Sequence, residues 1–386
     1  MSRRPRVGFA AVSAAALTAV AALAAVGPGG SATAAAETCG VLFDDFAYTS
    51  SADPALPARS WTVRTNAGGP GVPGASWPAS NISFPTSGGQ KVLQLAAATN
   101  GTAAGTSHAE LFQRRAFFEG TYAARVRFTD APVSGNDGDR LVETFFTITP
   151  LDRPMDPNYG EIDFEYLPNG GWGEQGPIFY QTTWETYQNE PWVADNIHTA
   201  QRATFNGWHD LVFTVSAGRV KYYVDGQLVA DHGDKYYPET PMSINFNLWF
   251  IDLVAHTGGL STYHQQVDWL YYADRQVLTP AEVATRVAGQ RSAGRTHTDT
   301  VGAGGPCPTP PPTTTPTTPP PTSPPPTTPP PTTPPANCAG VPAWDRNTVY
   351  LGGQRVRHNG RLWEANWWTL GSEPGLTAQW RDLGAC

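Results

Sequence analysis

The stretch Leu211-Val212-Phe213-Thr214-Val215-Ser216-Ala217-Gly218-Arg219-Val220-Lys221-Tyr222-Tyr223-Val224-Asp225-Gly226 decides the fold. Leu211, Phe213 and Val215 recur every second residue, the period of a half-buried strand. Ser216-Ala217-Gly218 breaks the run, and Val220, Tyr222 and Val224 resume it, so the segment reads as a hairpin with a Gly-containing turn. Asp225-Gly226 then turns the chain again, a strong short-range hairpin signal. The same alternation sets Tyr122, Ala124, Val126 and Phe128 against Thr121, Ala123, Arg125 and Arg127. It also sets Ile244, Phe246, Leu248 and Phe250 against Ser243, Asn245, Asn247 and Trp249. One helix is clear: Thr279 caps it, Pro280 takes the first helical position and Glu282 completes a capping box. Many short strands with few helices fit an all-β chain built as a sandwich of two antiparallel sheets.

Composition narrows the partners. Of 386 residues only 15% are charged and the formal net charge is -8, whereas a phosphate-binding surface needs clustered Lys and Arg. Nucleic acid is therefore an unexpected partner. Thirteen Trp, 14 Tyr and 16 Phe in a charge-poor, acidic chain suit the binding of neutral sugar. Arg3, Arg4 and Arg6 precede an apolar run from Val7 to Val26, and Ala34-Ala35-Ala36 offers a cleavage site before Glu37. Residues 1–36 thus read as a secretory signal rather than a membrane anchor, and the mature chain is expected outside the cell with no membrane partner.

Four cysteines in an exported chain imply disulfides, and four allow three pairings. Cys39 and Cys307 bracket one segment, and Cys338 and Cys386 bracket the last. The expected pairs are Cys39–Cys307 and Cys338–Cys386, each tying the ends of one domain. No Cys/His spacing suggests zinc. Residues 308–335 are almost purely Pro, Thr and Ser, which cannot bury a core. At ~3.1 Å per residue they make a polyproline II spacer of roughly 85 Å. The expected division is a large domain over 37–306, a linker over 307–337 and a small domain over 338–386.

The chemistry sits in Gly160-Glu161-Ile162-Asp163-Phe164-Glu165-Tyr166. On a strand, Ile162, Phe164 and Tyr166 face the core, while Glu161, Asp163 and Glu165 form a row on the other face. Three carboxylates in a row repel one another and add nothing to stability. Glycoside hydrolysis supplies a reason, because it needs one carboxylate and one protonated acid flanking the scissile bond. Glu161 and Glu165 have Cα atoms roughly 13 Å apart on an ideal strand, and their side chains lean toward each other over the shorter Asp163. Like-charge repulsion then keeps one acid protonated near neutral pH. Asp163 is placed to hydrogen-bond the nucleophile. A retaining enzyme holds the two carboxyls about 5–5.5 Å apart and an inverting one about 6.5–9.5 Å, which spacing in sequence does not decide. Calcium ligation is the weaker reading, because calcium prefers loops with backbone carbonyls.

Glu161-Ile162-Asp163-Phe164-Glu165 resembles the Glu-x-Asp-x-Glu active-site motif of glycoside hydrolase family 16. Glu119-Gly120-Thr121-Tyr122-Ala123-Ala124-Arg125-Val126 is similar to the strand that family places before its active site. Trp208-His209, with the hairpin closing at Asp225-Gly226, Asn247-Leu248-Trp249 and Val267-Asp268-Trp269 agree in order, so the resemblance runs from about Phe43 to Tyr272. It implies a concanavalin-like jelly roll with an open cleft on its concave sheet and hydrolysis by double displacement. Glu161 would be the nucleophile, Asp163 its assistant and Glu165 the general acid/base. The family acts mostly on β-glucans, with some galactans and xyloglucan. The unbulged motif is similar to mixed-linkage and xyloglucan-active members, whereas Gly160 looks more like β-1,3-glucanases. No cofactor is required. Some members bind a structural calcium on the convex face, for which Asp268 is the candidate ligand, set against an ordinary solvated aspartate. Asn245, Asn247 and Trp249 share the non-core face of their strand and suit a cleft floor, and Trp184 is placed to stack on a sugar. His209 reads as a packed structural histidine.

Residues 338–386 hold Trp344, Trp363, Trp367, Trp368 and Trp380, more than so small a core needs. Trp367 and Trp368 are adjacent, so one faces out. Trp344, Tyr350, Gly353, Val356, Asn359-Gly360, Trp363, Ala365-Asn366-Trp367-Trp368-Thr369 and Pro374 resemble carbohydrate-binding module family 5/12, whose members mostly bind chitin and some cellulose. Trp363, Trp367 and Trp368 are the candidate sugar contacts. The whole reads as a secreted, monomeric endo-β-glucanase cutting β-1,3 or mixed β-1,3-1,4 linkages and held on chitin or a similar insoluble polysaccharide. The rivals are a transglycosylase on the same site and a non-catalytic carbohydrate-binding protein.

Overall fold

A computed structural model describes residues 40–302 and, toward the C-terminus, 338–345, 348–350, 353–365, 369–370, 374 and 380–386. The chain divides into two compact units, residues 1–309 and 310–386. Cys39, Cys307, the apolar N-terminal run and the Pro/Thr stretch lie outside the described residues. Among those described, no helix is long and apolar enough to cross a membrane.

The main strands of the first unit are, in chain order, β1 (Val41–Asp44), β2 (Trp61–Val63), β3 (Ile82–Ser83), β4 (Leu93–Thr99), β5 (Ala109–Gln113), β6 (Gly120–Phe128), β7 (Leu141–Ile148) and β8 (Glu161–Leu167). There follow β9 (Ile178–Gln188), β10 (Val193–Gln201), β11 (Gly207–Ser216), β12 (Arg219–Val224), β13 (Gln227–Gly233), β14 (Ser243–Phe250), β15 (Ser261–Asp274) and β16 (His297–Asp299). One sheet runs β10-β9-β8-β7-β14-β5-β2. The other runs β13-β12-β11-β6-β15-β1-β16, with β4 also pairing β15 and β3 pairing β4. The two sheets pack as the expected jelly-roll sandwich.

Both predicted turns are present, and each is two residues long. Ser216 pairs with Arg219 and Val224 with Gln227. Ala217 and Gly218 lie at φ 51° and 74°, and Asp225 and Gly226 at φ 48° and 80°. Positive φ at both central positions makes the turn twist with its strands, which is why Gly holds the second place in each.

The alternating apolar residues meet between the sheets. Phe145 of β7 stacks on Phe246 of β14 at 5.2 Å and on Phe164 of β8 at 6.2 Å, while Phe213 of β11 lies 5.7 Å from Phe145 across the sandwich. Ile162, Phe164 and Tyr166 are fully buried in this core. Rings offset or tilted at such distances fill the space and gain about 0.5–1.5 kcal/mol per pair beyond area burial. With one face of β8 committed to the core, register fixes Glu161, Asp163 and Glu165 on the other.

Helix Pro280–Ser292 starts as predicted: the Thr279 hydroxyl accepts from the Glu282 N–H, and the Thr279 N–H donates to Glu282 Oε2. Val283 and Val287 cover Phe43, Ala123, Trp269 and Tyr271 on the outer face of the β6–β15–β1 sheet.

In the second unit Arg355–His358, Arg361–Ala365 and Trp380–Ala385 form a three-stranded sheet. Cys338 and Cys386 are bonded, as expected. Tyr350, Val356, Trp363, Ala365 and Trp380 make its core, with Trp344 packed against them. Trp363 therefore departs from its expected role as a sugar contact. It is 9% exposed and its indole N–H donates to the His358 carbonyl at 3.1 Å, so its ring serves the core. Trp367 and Trp368 lie outside the described residues.

Candidate active site

The solvent-facing side of the β10–β2 sheet is the floor of a groove of about 990 Å³, at the upper end of the ~300–1,000 Å³ usual for ligand sites. Glu161, Asp163 and Glu165 of β8 lie on that floor. β9 runs antiparallel beside them, placing Trp184 opposite Glu161 and Tyr180 opposite Glu165. On the other flank Ile148 and Thr144 of β7 oppose the same two glutamates.

Each carboxyl has its own donor. The Tyr159 hydroxyl bonds Glu161 Oε2, the Trp184 indole N–H bonds Asp163 Oδ2 at 3.0 Å, and the Thr182 hydroxyl bonds Glu165 Oε2 at 3.3 Å. Burial raises all three acids above the usual carboxylate range. Glu161 rises to about 7, held down by hydrogen bonds from Tyr159 and Asp163. Glu165 rises to about 8, pushed by burial and then by the charge of Glu161. Asp163, 3% exposed between them, is raised well above its ordinary value by burial and by both neighbours. Two hydrogen bonds favour the charged form of Glu161, whereas burial and the charge of Glu161 favour the protonated form of Glu165. One charged and one protonated carboxyl on one surface is the pairing that glycosidic cleavage requires.

Of the sequence-predicted sugar contacts, Asn247, Trp249 and Trp184 line the groove. Asn247 Oδ1 accepts from the Thr144 hydroxyl at 2.7 Å, leaving its amide hydrogens for the groove. Asn245 does not line it. That side chain is 2% exposed, and its amide donates to the Ser243 hydroxyl at 2.9 Å. His209 is structural as read, bonded between Asp225 Oδ2 at 2.7 Å and the Phe205 carbonyl at 3.0 Å. Asp268 is neither a solvated aspartate nor free for a cation. Arg291 of the helix donates to Oδ1 at 2.8 Å and to Oδ2 at 3.1 Å. With both oxygens taken, and no group of three or more His, Cys, Asp or Glu converging among the described residues, these side chains do not fit a calcium ion.

Several groove residues lie outside the sequence reading. Tyr159 sits two residues before Glu161, so the period that aligned the carboxylates continues through it. Trp172, 51% exposed, rises at φ 53° from a turn between Gly171 and Gly173, its ring 6.0 Å from Trp249 and 6.3 Å from Tyr180. Tyr187 and Trp192 join Trp184 in a second aromatic cluster at the Glu161 end. Arg64 lies 4.0 Å over the Trp77 ring and is paired with Glu110 at 2.7 Å. The Gly-Gly-Trp-Gly turn was a visible signal for Trp172. Arg64 and Glu110 carried none, because only the fold brings β5 to the groove.

Comparison with known proteins supplies a family for the chain. Residues 76–271 match the glycosyl hydrolases family 16, and residues 343–381 match carbohydrate-binding module family 5/12. The chain is 56% identical over 45 residues to chitinase A of Pseudoalteromonas piscicida, covering 12% of this chain and 6% of that protein. It is 28% identical over 174 residues to the endo-1,3-1,4-beta-glycanase ExoK of Rhizobium meliloti, covering 45% of this chain and 57% of ExoK. It is 26% identical over 251 residues to a beta-glucanase of Bacillus subtilis, covering 63% of this chain and 90% of that protein. The chain therefore spans a small part of the chitinase and little more than half of ExoK. Because the family 16 match covers just over half of the 386 residues and contains the whole carboxylate row, the chain belongs to glycosyl hydrolases family 16.

Proposed function

We propose that the protein is a secreted endo-acting hydrolase of β-glucan, cutting β-1,3 or mixed β-1,3-1,4 linkages with retention of configuration. The observation that carries this reading is the row Glu161, Asp163 and Glu165 on the floor of an open groove, with burial holding Glu165 protonated into neutral pH. Glu161 attacks the anomeric carbon as Glu165 gives its proton to the departing glycosidic oxygen. Glu165, now a carboxylate, then takes a proton from water, and the hydroxide so formed displaces Glu161. Asp163 orients Glu161 by hydrogen bonding, while Asn247, Trp249, Trp184 and Trp172 hold the sugar chain. The name of the Bacillus subtilis enzyme supports a β-glucan substrate, and that of ExoK supports cleavage within a β-1,3-1,4-linked glycan. The groove is lined from six of the seven strands, β10 to β5, and is open, as cutting within a long chain requires.

Residues 1–36 would direct export. The C-terminal module would hold the enzyme on chitin or a comparable insoluble polysaccharide, a reading the chitinase A likeness supports. The Pro/Thr linker would then let one anchored enzyme sweep nearby substrate, raising its effective concentration. Reducing-sugar release from laminarin, mixed-linkage β-glucan, xyloglucan, agarose and colloidal chitin tests the reading. Cleavage of laminarin or mixed-linkage glucan is expected. Products longer than the substrate would instead indicate a transglycosylase, and no turnover of any polymer would indicate a binding protein.

A further inference from the structure

We propose that Tyr159 is a positioning residue for the nucleophile: its hydroxyl, bonded to Oε2 of Glu161, fixes that carboxylate and leaves Oε1 to bond the anomeric carbon. This rests on the double-displacement reading above and adds a residue to it.

The geometry is built rather than incidental. The Tyr159 ring is 1% exposed and packs edge-on against Tyr187 at 5.2 Å. Its backbone is pinned on both sides. The Tyr159 N–H donates to the Asp156 carbonyl at 3.1 Å, and the next residue exchanges two bonds with Thr149, Gly160 N–H to Thr149 Oγ1 at 2.9 Å and Thr149 N–H to the Gly160 carbonyl at 3.0 Å. Asp156 is itself buried and bonded to the Asn158 N–H at 3.1 Å. A hydroxyl carried on so fixed a ring has one partner within reach and little rotamer entropy left to lose.

That donor acts on the chemistry of Glu161. As the Oε1–carbon bond forms from a carboxylate lone pair, the glycosidic carbon–oxygen bond breaks and Glu165 protonates the leaving oxygen, so Glu161 must begin ionised. Of the titratable groups facing it, Glu110 opposes that state and Asp163 supports it by hydrogen bonding. Asp163 and Glu165 lie on its own strand, Glu110 faces it from β5 with Arg64 as partner, and Tyr187 faces it from β9. Burial opposes it most. A neutral phenol, itself held far above its ordinary pKa by burial and by Glu161, offsets burial and Glu110 by donating to the charged form.

The test is the pH profile of kcat/KM for Tyr159→Phe, which removes one oxygen and keeps the ring. The acid limb should move up by about one pH unit, and kcat should fall about tenfold while KM changes less than twofold. A purely structural role would lower Tm and leave the limb in place. Site-specific 3-fluorotyrosine at position 159, a stronger donor of nearly the same size, should move the limb down, and it keeps the test decisive if the Phe variant folds poorly. An unmoved acid limb in both proteins overturns the proposal. Glu161→Gln is measured alongside. If it is inactive while the limbs stay put, only the Tyr159 assignment fails; if it retains wild-type activity, the catalytic reading itself fails.

Discussion

The indole N–H of Trp184 donates to Oδ2 of Asp163 across 3.0 Å, from the strand that pairs directly with the carboxylate row. Trp184 therefore does more than present a stacking face. Its bond lowers the pKa of the most crowded of the three acids. Trp184→Phe keeps a ring in the groove and removes the donor. Leaving a buried acceptor short of a partner costs about 1–3 kcal/mol, so kcat should drop about 10- to 100-fold. Steady-state kinetics check this, and a kcat within twofold of wild type would contradict it.

Glu165 links activity to stability. Its folded pKa is raised from 4.5 to about 8, by burial first and by Glu161 second. The folded chain thus binds this proton more tightly than the unfolded chain. The stabilisation is complete below pH 4.5 and is lost as pH rises through about 8. Glu165→Gln removes the ionisation, so its Tm relative to wild type should climb between pH 5 and pH 9 even though it is inactive. Paired thermal melts test this, and a Tm difference independent of pH would contradict it. The same proton sets the basic limb of the activity profile near pH 8.

Trp172 separates binding from folding. It is half exposed, and it holds a left-handed conformation that Gly adopts without cost. Trp172→Gly should raise KM for a glucan chain about tenfold, or ~1.4 kcal/mol, while Tm stays within about 2 °C. Unchanged KM would show that the ring does not touch the substrate.

The Cys338–Cys386 bond closes a 48-residue separation around a core of five buried side chains. Such a loop closure is worth about 4 kcal/mol in the chain-entropy model, most of what so small a unit has. Cys338→Ser with Cys386→Ser should abolish retention on colloidal chitin and leave the rate on a soluble glucan unaltered. Retained pull-down by the double variant would contradict this.

The parts of this molecule set by local pattern were legible in the sequence. The two-residue turns at Ala217-Gly218 and Asp225-Gly226, the capped helix at Thr279 and the split of β8 into core and groove faces all rest on local pattern. What escaped depends on neighbours distant in the chain. Asn245 shares its strand face with Asn247, yet its amide turns to Ser243 instead of the groove. Asp268 meets Arg291 only because the late helix lies against β15. Trp363 looked like a spare aromatic until its strand closed over Val356 and Trp380.

The most direct test of the central claim is hydrolysis of laminarin and mixed-linkage β-glucan by wild type and Glu161→Gln, with the anomer of the first product followed by NMR. The account predicts rapid release of β-anomeric oligosaccharides by wild type and none by the variant. Initial α-anomer, or cleavage by Glu161→Gln at the wild-type rate, would contradict it.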